Sequence, residues 1–99
     1  MAIYKNELGM VDKKAQNQKS LEMAIQTLTQ VASSPTTPKN IKKNLTDLIS
    51  NLKAGQDPVS IRAANAISQI DDVTQDPNLP SYVRVTLWQA VSTLESIRD

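Results

Sequence analysis

Apolar residues recur at three- and four-residue steps along most of the chain, and prolines break the pattern at 35, 38, 58, 77 and 80. Such spacing lines one face of an α-helix. Proline fits the first turn of a helix but not its interior. A chain written this way is a set of amphipathic helices divided at its prolines. No segment alternates convincingly enough for a strand.

Four helical segments follow. The first is expected over residues 12–32, with Leu21, Ala24, Ile25, Leu28, Val31 and Ala32 on one face. The second carries Ile41, Leu45, Leu48, Ile49 and Leu52. Thr37-Pro38 would start it, with the hydroxyl capping free amides, and Gly55 would stop it in the left-handed conformation. The third opens at Asp57-Pro58 and has two overlapping stripes, Ile61, Ala64, Ile67, Ile70 and Val59, Ala63, Ala66, Val73. That wide arc predicts the most buried helix. The fourth begins near Pro80, with Val83, Leu87, Ala90, Val91, Leu94 and Ile97 as its core stripe.

The connections are short, which favours antiparallel neighbours. The fold expected is all-α: an antiparallel four-helix, up-and-down bundle over residues 12–99, with residues 1–11 as a tail or short extension. A length of 99 residues suits one domain. Displacing the sequence by 42 positions lays Pro35 and Pro38 on Pro77 and Pro80, and Ile41, Leu45 and Ile49 on Val83, Leu87 and Val91. The bundle therefore reads as two repeated helical hairpins, each leaving one apolar face for the other to cover. The Pro-x-x-Pro turns are read as helix punctuation rather than as polyproline ligands.

The chain has no Cys and no His. That excludes a disulfide framework, a thiol nucleophile, the usual zinc and haem sites and the usual near-neutral proton shuttle. Two glycines leave no phosphate-cradling Gly-rich loop. Asp71 and Asp72 are adjacent, so on a helix they point about 100° apart rather than converging. No catalytic residue, cofactor or metal ligand is expected, and the chain is not read as an enzyme. No run approaches the roughly 20 apolar residues that span a bilayer, and no apolar signal core stands at the N-terminus. The cytoplasm is the default compartment.

A net charge of +1 conceals a division. Residues 1–54 hold eight lysines and four acids, net +4, whereas residues 55–99 hold three arginines and six acids, net −3. Lys39, Lys42 and Lys43 crowd the start of the second helix, and Asp71, Asp72 and Asp76 the end of the third. Both clusters oppose the helix dipole. Antiparallel packing of these helices would bring the clusters to one end, where they screen each other. The lysines beside free helix amides are also a candidate site for a phosphate or a nucleic-acid backbone. Asp72 and Asp76 could share a hard cation, but Asp76 before Pro77 is better placed to cap the turn.

Trp88 lies beside the core stripe of the fourth helix. Two readings stay open: a plug in one side of the core, or, with Tyr82 and Val85, an exposed patch that pairs two copies. The functional reading is a non-catalytic module acting by protein contact, either as a homodimer or as an adaptor. Weak anion or RNA binding at Lys39, Lys42 and Lys43 is the alternative.

The stretch Asp57-Pro58-Val59-Ser60-Ile61-Arg62-Ala63-Ala64-Asn65-Ala66-Ile67, the turn Gln75-Asp76-Pro77-Asn78-Leu79-Pro80 and the run Leu87-Trp88-Gln89 together resemble an uncharacterised family of short archaeal proteins. The resemblance covers most of the chain from about residue 15 and leaves out residues 1–10. It implies a small four-helix bundle of the bromodomain-like kind, a likeness that does not extend to implying acetyl-lysine binding. It brings no activity, cofactor or functional residue. The Asp-Pro…Arg pattern is also similar to HEAT-type helical repeats, although two hairpins are too few for a solenoid.

Overall fold

A computed structural model describes the backbone of residues 6–98 and the side chains of residues 13–98. It contains four helices: α1 (Asn6–Ser33), α2 (Lys39–Ala54), α3 (Val59–Thr74) and α4 (Ser81–Glu95). No strand occurs among the described residues. Residues 1–5 of the expected tail and Asp99 lie outside them. α1 starts well before residue 12. Residues 6–11 hold no proline, so no ring blocks the helix from extending.

The helices form a ring. α1 packs on α2 and α4, and α3 packs on the same two helices. Hydrogen bonds between helix ends set their directions. Asn17 of α1 pairs with Arg98 after α4. At the other end, Thr36 meets Tyr82 at the start of α4. Asn40, starting α2, reaches Asp76, just past α3. The last two links each join one helix's beginning to another's end, and the first ties the chain end after α4 to the middle of α1.

The core is the predicted one on three helices. Leu21, Ala24, Leu28 and Val31 of α1 are buried, with Ile25 and Ala32 packed against them. All five α2 stripe residues are buried. So are Val83, Leu87, Ala90, Leu94 and Ile97, with Val91 alongside. The third helix differs. Ala63, Ala66, Ile70 and Val73 face inward, while Ile61 is 48% exposed and Ala64 also faces solvent. α3 is therefore not the most buried helix. The stripe beginning at Ile61 divides: Ile61 and Ala64 face solvent, Ile67 packs at the edge of the core, and Ile70 is fully buried.

The helix ends depart from expectation in an instructive way. Pro38, Pro58 and Pro80 sit just before their helices in extended conformation, with ψ of 148°, 150° and 145°. No side chain caps any of the three starts. Thr37 does not cap α2; its buried hydroxyl donates to the Val31 carbonyl at 2.8 Å and closes the end of α1 instead. Asp57 gives α3 no cap either. Gly55 is not left-handed, at φ −62° and ψ 137°. Its missing side chain serves close packing, because a Cβ there would lie 1.8 Å from Cδ of Arg62.

The two Pro-x-x-Pro turns carry the same backbone bonds. In the first, Ser34 donates to Val31 and Thr37 to Ser34, both at 3.2 Å. In the second, Asp76 donates to Val73 and Leu79 to Asp76, both at 3.1 Å. These positions match under the displacement of 42. The Asp76 carboxylate also caps its turn, accepting from the Asn78 amide at 2.9 Å.

Candidate contact surface

Tyr82, Val85 and Trp88 are spaced three apart on α4, so they drift obliquely across its outer side. All three are exposed, at 56%, 49% and 52%. Trp88 is one position, about 100°, round from the buried Leu87, and that turn carries its ring out of the core. The core-plug reading of Trp88 is therefore wrong. Tyr82 keeps its hydroxyl near Thr36, at the α1 edge. Arg84 sits at the opposite edge, against the end of α3. Among the exposed positions of α4, Glu95 is the sole charge.

Lys39 and Lys43 are exposed and Lys42 is half-exposed at the start of α2. The acidic end of α3 does come to this place, since Asn40 donates to an Asp76 carboxylate oxygen at 3.4 Å. The contact is amide to carboxylate. Lys39, Lys42 and Lys43 themselves form no ion pair with Asp71, Asp72 or Asp76 among the described residues. Any screening between the clusters acts through solvent.

Residues 8–97 match the uncharacterised protein family UPF0147. The chain belongs to this family. The UPF0147 protein of Metallosphaera sedula is 40% identical over 83 residues, covering 84% of this chain and 93% of the relative. That of Saccharolobus solfataricus is 38% identical over 84 residues, with the same coverage, 84% and 93%. The bundle is similar to the crystal structure of a UPF0147 protein from Thermoplasma acidophilum, at a TM-score of 0.79 and 26% identity. That match covers 85% of this chain and 99% of the other. A second crystal structure, of a protein of unknown function, matches at a TM-score of 0.77 and 30% identity, covering 81% and 91%.

In this UPF0147 chain, several polar side chains act at helix junctions that sequence reasoning overlooked. Arg62 donates from Nε to the Asp57 carbonyl at 2.9 Å and from its guanidinium to the Leu52 carbonyl at 2.7 Å. Arg84 repeats the device, reaching the Thr74 carbonyl at 3.0 Å and the Asp76 carbonyl at 3.2 Å. Each arginine is the fourth residue of its helix and closes the helix before. The signal was present: Pro58…Ile61-Arg62 and Pro80…Val83-Arg84 share one spacing. Asn17, buried in α1, mimics a backbone unit. Its Nδ2 donates to the Arg98 carbonyl at 2.5 Å, and its Oδ1 accepts from the Arg98 amide at 3.2 Å. A lone Asn on an apolar face gave no warning of this clamp. No helix among the described residues is long and apolar enough to cross a membrane.

Proposed function

We propose that this chain is a non-catalytic cytoplasmic module, built from a doubled helical hairpin, that acts by protein contact. Its contact surface is the outer side of α4, and the occupant is a second copy. One observation carries the reading: the chain's single tryptophan stands half-exposed beside Val85 and Tyr82 on a nearly uncharged helix face. Interface cores are depleted of charge and rich in Trp and Tyr. Trp88 is the middle residue of α4, so two α4 helices crossing antiparallel would set Trp88 of one copy against Trp88 of the other, a self-complementary pattern suited to two-fold pairing.

Sedimentation equilibrium across a wide concentration range tests this. A concentration-dependent dimer is expected, together with a blue shift of Trp88 emission as the ring leaves water. A wild-type chain that stays monomeric at high concentration, with unshifted emission, sinks the reading.

Anion or RNA binding at Lys39, Lys42 and Lys43 has one observation in its favour: no side chain caps the first turn of α2. The Asp76 carboxylate beside Asn40 opposes an anion there. RNA binding that weakens steeply with salt and is lost on Lys42→Glu would favour this alternative.

A further inference from the structure

A groove runs between α2 and α3, away from the α4 face. It consists of two cavities of about 400 and 360 Å³ that share Leu48 and Gln69 as lining. Its floor is apolar, with Leu48, Ala66 and Val73. Its rims are polar. Asn44, Asp47 and Asn51 line it from α2, at steps of three and four. Asn65, Gln69 and Asp72 line it from α3, at steps of four and three. Each set therefore stands on one face of its helix and borders the same opening.

Two properties of these rims bear on what they could hold. The side-chain amides of Asn44, Asn51, Asn65 and Gln69 have no hydrogen-bond partner among the described residues, nor do the carboxylates of Asp47 and Asp72. The groove's charge is also one-sided. Asp47, Asp57, Asp72 and Asp76 line it, against one cation, Arg62. The Arg62 guanidinium is already engaged by the carbonyls of Leu52 and Asp57.

We propose that this groove binds a short, extended peptide segment bearing lysine or arginine. An amide side chain offers both a donor and an acceptor, the pair that an extended backbone needs at each residue. Amides on facing rims can therefore pair with a peptide main chain lying between them. The carboxylates of Asp47 and Asp72 then receive its cationic side chains. The α3 rim from Asn65 to Asp72 spans about 10 Å at the helical rise, room for about three extended residues. A docked helix would need a wide apolar channel, which these rims do not provide. A phosphate or an acidic peptide would face the carboxylates.

Fluorescence anisotropy on the full chain tests the proposal with an end-blocked, fluorescein-labelled peptide of alternating lysine and threonine. Saturable binding is expected, with none for the glutamate counterpart. N-methylation of the threonine amides is expected to weaken binding about tenfold or more, since it removes main-chain donors. Asn51→Ala combined with Gln69→Ala, and separately Asp47→Asn combined with Asp72→Asn, are each expected to cause a similar loss. All four side chains are exposed, so circular dichroism and melting should remain those of the wild type. Three results overturn the proposal: no binding at low salt, equal binding of the N-methylated peptide, or binding indifferent to the Asn51/Gln69 pair. Either of the last two would reduce the groove to a patch of diffuse negative charge.

Discussion

α2 and α4 are near equals in length and occupy opposite corners of the same ring, yet they divide their residues differently. Every large apolar residue of α2 is buried, and its outer side is Lys, Asn, Asp, Ser and Thr. α4 buries an equally good stripe but also places Tyr82, Val85 and Trp88 in solvent. The amphipathic pattern of α2 is fully explained by the bundle around it. That of α4 is not, and the surplus is where a partner is to be sought. A helix whose apolar residues outnumber its buried positions carries information about something beyond the fold.

The sharpest way to break the comparison is to cut one core residue on each helix. Leu45→Ala on α2 and Leu87→Ala on α4 remove fully buried side chains. Each should cost about 2–5 kcal/mol by urea unfolding at low protein concentration. If Leu87→Ala were far milder, α4 would be a loosely held element rather than an equal member of the core.

Next come the arginine closures. Arg84→Ala should destabilise by about 1–3 kcal/mol, since it strips hydrogen bonds from the carbonyls of Thr74 and Asp76. Arg62→Ala should behave alike, and thermal melts of both variants would check the equivalence. Gly55→Ala should mimic a milder Arg62→Ala, because the new methyl displaces the Arg62 side chain rather than backbone.

Asn17→Ala should cost about 1–2 kcal/mol and raise amide exchange chiefly at Ile97 and Arg98. Uniform loss of protection along α1 instead would mean that Asn17 supports the core more than the chain end.

The smallest expected effect is the most telling. Trp88→Ala should change monomer stability by no more than about 0.5 kcal/mol while abolishing self-association in sedimentation. A large loss of stability at concentrations where the protein is monomeric would place Trp88 among the core contributors after all.

The core was legible because burial writes itself as periodicity. Leu45, Leu48 and Leu52 announce their face without help from any neighbour. Ile61 and Trp88 show the limit of that signal. Period says that a residue is apolar and helical, not whether a neighbouring helix lies opposite it, and ring packing leaves each helix an outer side. Helix ends were legible as positions but not as mechanisms. Pro38, Pro58 and Pro80 marked the starts, whereas Thr37 and Gly55 suggested local caps. The actual closures come from side chains several residues away in the next helix, a tertiary effect that local propensity does not encode. Of the proposed α4 surface, the residue types were visible in sequence and their shared exposure was not.

Arg62 and Arg84 have a dynamic consequence. Each ties the final carbonyls of one helix to the opening turn of the next, so a helix end cannot unravel by itself. Releasing the Leu52 carbonyl means displacing the Arg62 side chain, and releasing the Thr74 carbonyl means displacing that of Arg84. Local opening of these helix ends should therefore cost about 1–3 kcal/mol more than ordinary fraying, slowing exchange of the amides just before each junction.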